Sequence, residues 1–521
     1  MRRAAGALLA TVTAAVGLVG VTASPAAAAT LPSGFTEGLV ASVAAPTSMA
    51  FTPDGRMLVS SQGGTMRVVK AGALLATPAL DITSKVCSNS ERGLLGVAVD
   101  PSFTANGYVF VYYSFKKNPT CDSGTVNRVA RFVMTGDTLG GETVLVDNIP
   151  SPAGNHNAGY VHFGKDNLLY VSVGDGGCDY AGNSGCAQDN DANRDMNALV
   201  GKILRIDRDG GIPAGNPFTG PGTVRCITGV AAVGTTCQEI FAFGLRNPFR
   251  LAFDPNAAST RFYINDVGQS TWEEIDLGAA GADYGWNTRE GHCATGSTTN
   301  CGPPPAGMTN PIFDYGRADG CGTITGGAFV PNGVWPSGYQ GKYLFADYLC
   351  GKIFRLDPNA GGGFARTDFV TGLGGNSATD LRFGPYGRTQ ALYYTTYAGG
   401  GQVRRIVNTD TIPALTVQGF TWYSDGSSAK TGPSGTVVTA FGTSLRTNTA
   451  FRLMTSPAQT IPDLTCTVDL VPVNANPRFS NARGFIANTS GPVTRVPGDY
   501  DLCFVAEDGS AVGLPVAFHV V

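Results

Sequence analysis

One phrase recurs six times between residues 48 and 408, and it limits the fold more than any other feature of this chain. It consists of an apolar pair with Phe or Val, then Pro or Gly, then a turn, then a β-rich run. The copies begin at Ser48 (SMAFTPDGRMLVSSQGGTMRVVK), Gly96 (GVAVDPSFTANGYVFVYYSF), Tyr160 (YVHFGKDNLLYVSVGD), Arg250 (RLAFDPNAASTRFYINDVG), Gly326 (GGAFVPNGVWPSGYQGKYLFADYLCGKIFRLDP) and Asp380 (DLRFGPYGRTQALYYTTYAGGGQVRRIV). Within each copy the apolar residues alternate with period two, and Pro, Asp and Gly stand at the turns. Repeats of this size, each several strands long, are the signature of a β-propeller. Several copies end on what reads as an edge strand with a basic residue: MRVVK, NRVARFVM, GKILRID, GKIFRLD and QVRRIV. The spacing is irregular, which implies inserted loops at 178–200, 208–240 and 290–325. Such loops on one face of a repeat protein often build the binding site. A row of sandwich domains is the alternative, but no Pro/Ser linker interrupts residues 35–408.

Composition agrees with an all-β chain rich in turns. Gly occurs 71 times and only 14% of residues are charged. A net charge of −3 and a pI near 5.9 argue against a nucleic-acid-binding surface. After Asn408 the texture changes. TDTIPALTVQG is a short connector, and residues 409–521 are strand-like without the repeat phrase. Their length, with Cys466, Cys503 and Trp422, fits a small immunoglobulin-like β-sandwich of accessory role. At the other end, Arg2 and Arg3, an apolar run to Ala23 and the small residues Ala27–Ala29 read as a signal peptide over residues 1–29. An uncleaved anchor is the alternative, and no later segment is long enough to span a membrane. Twelve cysteines in an exported, extracellular chain read as disulfides. Their positions suggest Cys87–Cys121, Cys178–Cys186, Cys226–Cys237, Cys293–Cys301, Cys321–Cys350 and Cys466–Cys503. Zinc is the rival reading, but there is no CxxC pair and there are only four histidines.

Three further stretches carry the chemistry: ERGLLGVAVDPSF (Glu91–Phe103), NHNAGYVHFGKDNLLYVSVGDGG (Asn155–Gly177) and IFAFGLRNPFRLAF…NDVGQSTWEE…GADYGWN (Ile240–Asn287). A neutral imidazole in a loop, such as His156, can take a proton from a hydroxyl. A fixed guanidinium beside an amide, as at Arg246–Asn247, suits a polyanionic organic ligand. Backbone oxygens in a polar loop suit a hard cation. Taken together, from about Gly34 to Asn408, these stretches resemble the glucose/sorbosone dehydrogenase family. That resemblance implies a secreted six-bladed propeller, spanning residues 30–408 here, that oxidises aldose sugars with pyrroloquinoline quinone (PQQ) and calcium.

The resemblance implies a role for each matching residue. His156 would be the base, with Asp175 orienting it or the substrate. Arg246 would stabilise charge on the reduced quinone, and Asn247 and Glu91 would line the cofactor pocket. The carbonyls of Gly268 and Gln269 would hold calcium, with Gln269 standing where the family usually has Pro. Glu273 and Glu274 would supply a structural ion site or a solvated acidic turn. Glu91 has a second reading, a pair with Arg92. His162, inside a strand, reads as structural. Without a haem-attachment motif, electrons must leave to a separate acceptor. The family's Lys and paired Arg that grip PQQ carboxylates fall near Leu349 and near Ser377 and Thr379, so those charges are missing. Lys352 and Arg382 lie close but offset, and Arg317 or Lys342 would have to compensate. A non-redox secreted propeller that binds carbohydrate or protein through the same face is therefore the alternative function.

Overall fold

The computed structural model describes residues 29–387 and 389–409 in full, and the strands between 416 and 520 as backbone alone. Six sheets form a ring of blades. Blade 1 holds Pro46–Phe51, Met57–Ser61, Thr65–Lys70 and Ala73–Leu74, with Leu80–Asp81 on its third strand. Blade 2 holds Leu94–Val99, Tyr108–Phe115, Val126–Thr135 and Thr138–Pro150. Blade 3 holds Val161–Phe163, Leu169–Val173, Lys202–Ile206 and Ile240–Phe243, and blade 4 holds Pro248–Phe253, Phe262–Asp266, Trp272–Leu277 and Phe313–Gly316. Blade 5 holds Ile324–Phe329, Tyr343–Asp347, Lys352–Pro358 and Phe364–Val370. Blade 6 takes Ser377–Tyr386, Thr389–Thr396 and Gln402–Asn408 from the end of the ring, and Phe35–Ser42 from its beginning. That last pairing, from Phe35 opposite Asn408 to Ser42 opposite Gln402, closes the ring.

Each copy of the repeat phrase supplies the innermost strands of one blade. The blades pack face to face, and a separate apolar cluster fills each of the six junctions. Phe110 and Val129 meet Val171 and Leu204 between blades 2 and 3. Tyr263 and Ile275 meet Phe345 and Phe354 between blades 4 and 5. A strand buried on both faces needs apolar residues at nearly every position, which explains runs such as YVFVYY. Each fully buried Leu, Ile, Val or Phe contributes about 1.5–3 kcal/mol relative to exposure. The strands that end on basic residues are third strands, not edges, because a fourth strand pairs outside each. Lys202 shows the consequence. It is fully buried, donates to the carbonyls of Asn193 and Val200, and burial lowers its pKa to about 7.

Glu91, His156, Arg246 and Asn247 each lie just before an innermost strand, so all share the face where those strands begin. The turns between second and third strands reach the same face. The insertion at 178–200 belongs there, whereas 208–240 connects a third to a fourth strand and lies at the opposite end. The connection after Leu277 starts at that opposite end. It then climbs beside the fourth strand of blade 3, with Gly281, Tyr284 and Trp286 N–H donating to Phe241, Phe243 and Gly244 carbonyls. This climb carries Trp286 to the face that holds His156.

Five disulfides form: Cys87–Cys121, Cys178–Cys186, Cys226–Cys237, Cys293–Cys301 and Cys321–Cys350. The sixth expected pair needs Cys466, which lies outside the described residues, as does the expected signal peptide up to residue 28. The strands beyond residue 416 pair into one four-stranded and one five-stranded sheet. No helix among the described residues is long and apolar enough to cross a membrane.

Candidate active site

A cleft of about 490 Å³ opens on the face where the innermost strands begin. Glu91, His156, Arg246, Asn247, Gly268 and Gln269 line it, with Arg250, Arg317, Tyr348, Leu349, Thr379 and Tyr397. Asp175 lies directly behind His156.

His156 is held from both sides. Its Nδ1–H donates to Asp175 Oδ1 at 2.7 Å, and the Asp175 side chain is fully buried. Gly177 N–H also donates to Oδ1, at 2.8 Å, and Trp286 Nε1–H donates to Oδ2, at 2.9 Å. A carboxylate with these partners stays an acceptor and keeps the ring proton on Nδ1. His156 Nε2 has no protein partner among the described residues, so it is the nitrogen available to accept a proton. The backbone is as constrained as the ring. His156 and Ala158 have φ of 51° and 48°, in the left-handed region that side chains disfavour. Glu91 Oε2 accepts His156 N–H at 2.8 Å, and Asn247 Oδ1 accepts Ala158 N–H at 3.1 Å. Two loops from other blade junctions thus hold the histidine turn in place. Gly174 lets that turn approach, since a Cβ there would lie 2.1 Å from the His156 carbonyl oxygen. Glu91 does not pair with Arg92, which donates instead to Ser151 and Cys121.

Arg246 and Asn247 are fixed by Asp266, which accepts both backbone N–H groups at 2.9 and 2.6 Å. Burial raises the Asp266 carboxyl to about 7, although those two bonds oppose the shift. The Arg246 guanidinium donates to Val267 O at 2.8 Å and twice to Gln269 Oε1, at 3.0 and 2.8 Å. It also lies 5.7 Å from the Trp286 ring centre.

The carbonyls expected to hold calcium have another cationic partner. Arg317 Nη2 donates to Gly268 O at 3.0 Å, and Nη1 approaches Gln269 O at 3.4 Å. A carbonyl has a second lone pair, but calcium binds oxygen at 2.3–2.6 Å and would sit close to the guanidinium. At a separation of about 4.5 Å and an effective dielectric near 20, the guanidinium alone would repel the ion by about 7 kcal/mol, which Glu273, on its far side, offsets only in part. The residues present therefore do not fit calcium at this loop. Glu273 and Glu274 also cannot close on one ion, because they point to opposite sides of their strand. Glu273 bridges Arg317 and Ile324 N–H. Glu274 lies opposite Asp266 and Asp314 on the neighbouring strands. Among the described residues, two His/Cys/Asp groups have metal-like spacing, but their cysteines are bonded in Cys293–Cys301 and Cys321–Cys350.

The charge balance of the cleft fits a polyanion. Three guanidinium groups line it, those of Arg246, Arg250 and Arg317. Arg250 is buried, with Nε 3.7 Å from Asp380 Oδ1 and Nη1 and Nη2 donating to the Phe249 and Thr47 carbonyls, whereas Arg317 pairs with Glu273 and stays about a third exposed. Leu349 and Thr379 line the wall without charge, at the positions where missing Lys and Arg contacts were expected. Lys352 pairs with Asp368, Lys342 with Asp357, and Arg382 donates to the Tyr160 hydroxyl. None of these three reaches the cleft. A second cavity of about 230 Å³ includes Arg382 and His162. His162 stacks on Phe253, and burial, then the Arg382 charge, lowers its pKa to about 3, consistent with a structural role. Sequence reasoning missed Arg250 as part of the cleft and Trp286 as a partner of Asp175. Both lay inside quoted motifs, and only the packing shows where they point.

The Glucose / Sorbosone dehydrogenase family profile matches residues 43–404, which takes in blades 1 to 5 and most of blade 6 but not its closing strand Phe35–Ser42. This chain belongs to the glucose/sorbosone dehydrogenase family. The aldose sugar dehydrogenase YliI of Escherichia coli K12 is 25% identical over 369 residues, covering 69% of this chain and 89% of YliI. The HIPL2 protein of Arabidopsis thaliana is 27% identical over 338 residues, covering 54% of this chain. That match spans 46% of HIPL2, so the chain corresponds to about half the length of this relative. Among solved structures, the PQQ-bound aldose sugar dehydrogenase of Streptomyces coelicolor is 25% identical, with a TM-score of 0.52. That likeness covers 73% of this chain and 99% of the solved one.

Proposed function

We propose that this propeller oxidises the anomeric carbon of aldose sugars to lactones, with PQQ bound in the cleft. One observation carries the reading. His156 is locked by Asp175 and Trp286 with Nε2 as its available nitrogen, in a cleft walled by Arg246, Arg250 and Arg317. PQQ, when bound, supplies the two-electron acceptor that takes the hydride from the sugar C1. His156 Nε2 takes the proton of the C1 hydroxyl, and the Asp175 carboxylate stabilises the imidazolium that results. Arg246, held by Val267 and Gln269, would stabilise negative charge on a reduced acceptor with little reorganisation. Asn247 and Glu91 hold the His156 turn. Arg317 would offer carboxylates of the acceptor charge-assisted hydrogen bonds, and Arg250, buried beside Asp380, would add positive charge behind the wall. Reoxidation of the reduced group would need a separate electron acceptor.

Five disulfides fit an extracellular protein. We accordingly assign residues 1–29 to a cleaved signal peptide, 30–408 to the propeller and 409–521 to an immunoglobulin-like accessory sandwich. The alternative, a non-redox propeller binding carbohydrate or protein, draws on the uncharged Leu349 and Thr379. Calorimetric titration of the mature chain with PQQ, followed by dye-linked oxidation of an aldose panel, separates the two. Tight binding with turnover that disappears in His156→Ala supports the dehydrogenase. No binding at high micromolar PQQ refutes it.

A further inference from the structure

We infer that Arg317 takes the place of a divalent cation in this cleft, so that a polycarboxylate ligand binds here without calcium. The polycarboxylate is PQQ under the reading above, and to that extent the inference rests on it.

Arg317 is built into the site. It comes from the connection between blades 4 and 5, just before the innermost strand Ile324–Phe329. Its guanidinium sits on the carbonyls of Gly268 and Gln269, two oxygens from one turn that would otherwise face the cleft. Glu273, whose side chain is fully buried, anchors it from behind, with Nη2 donating to Oε1 at 2.5 Å. The stem passes over Gly322, where an added Cβ would lie 3.0 Å from both Arg317 Cγ and Cδ. The Cys321–Cys350 bridge ties this connection to the turn that carries Tyr348 and Leu349. The Arg317 side chain stays about a third exposed, so the group presents a resident cation at the cleft wall.

Gln269 fits the same arrangement. Its side-chain oxygen accepts two bonds from Arg246 while its main-chain oxygen faces Arg317. The carbonyls of Val267, Gly268 and Gln269 are thus all directed at guanidinium groups. A fixed guanidinium gives carboxylates both charge and directed donors, and it requires no metal loading.

The test compares wild type, Arg317→Gln and the charge-retaining Arg317→Lys, each as the chelator-stripped mature chain. Calcium uptake alone is measured first, by equilibrium dialysis. Removing the guanidinium frees the Gly268 and Gln269 carbonyls, so Arg317→Gln should bind one calcium ion per chain more than wild type. Arg317→Lys should match wild type. Equal uptake by wild type and Arg317→Gln overturns the inference, whatever PQQ does. PQQ titration then follows in chelator and in millimolar calcium. Wild-type affinity should differ between the two by less than about twofold, whereas Arg317→Gln should lose at least about tenfold in chelator and regain part of it with calcium. A wild type that binds PQQ only with calcium also overturns the inference. If no variant binds PQQ in either buffer, the cofactor reading fails and the dialysis result alone decides the role of Arg317.

Discussion

Asp175→Asn tests the proposed base most sharply, because the change is nearly isosteric and the carboxylate is completely enclosed. Asp175 accepts from His156 Nδ1–H and Gly177 N–H on one oxygen and from Trp286 Nε1–H on the other. An amide has only one acceptor atom. If its oxygen stays on His156, its NH₂ faces the indole N–H and a buried donor goes unsatisfied. If it flips, His156 must move its proton to Nε2 and can no longer accept one from substrate. In either case the negative charge that supports the imidazolium is gone. The folding cost is about 1–3 kcal/mol for the unsatisfied donor. The loss in kcat should be about 10³–10⁴-fold, equivalent to about 4–5.5 kcal/mol of barrier, as for other carboxylate–histidine pairs. Dye-linked turnover and single-turnover reduction of bound PQQ measure it, with PQQ affinity unchanged within about threefold because Asp175 does not line the cleft. A folded Asp175→Asn protein that keeps kcat within about tenfold of wild type would refute the role of Asp175 and weaken that of His156.

Glu91→Ala should lower thermal stability by about 1–2 kcal/mol and turnover by about tenfold or more, because the left-handed His156 turn loses its backbone anchor. Glu91→Gln keeps an acceptor and should lie close to wild type in a parallel melting and kinetic assay. Stability should also fall as pH rises from about 5 to 8. Burial raises Glu273 from 4.5 to about 8 and Asp266 from 3.8 to about 7, against the pull of their donors and arginines. The folded state thus holds these protons more tightly than the unfolded chain, and their contribution is full below the unfolded values and lost as pH passes the folded ones. A melting temperature that is flat or rises across that window contradicts this, and Glu273→Gln should flatten the slope. Replacing Cys321 and Cys350 by Ser opens a loop of 29 residues, worth about 3.5 kcal/mol in the chain-entropy account. It should also weaken PQQ affinity by releasing the Arg317 connection, and unchanged affinity would show that Glu273 alone anchors it.

Much of the lining of the candidate site was legible in the sequence. His156, Asp175, Glu91, Arg246, Asn247, Gly268 and Gln269 were singled out by the family resemblance, and all lie in polar loops next to apolar strands. In a propeller, each such loop returns to the same face. Period-two alternation with Pro, Asp and Gly turns similarly identified the blades, because that pattern reports local strand geometry. What stayed hidden depends on contacts distant in sequence. Closure by Phe35–Ser42 has no copy of the repeat phrase, since its register is set by pairing with Gln402–Asn408 across the whole ring. Trp286 reaches Asp175 only because its segment climbs a neighbouring blade. Arg317 and Lys342 were indistinguishable as spare cations in the sequence, and the fold sends one to the cleft and the other to a pair with Asp357. The sequence by itself determined which strands exist and which polar loops separate them, because both follow from residues near one another in the chain. Only the tertiary structure decided which cation stands on the Gly268 and Gln269 carbonyls, because that contact joins loops 48 residues apart and depends on the pairing of Trp272 opposite Gly316 in blade 4.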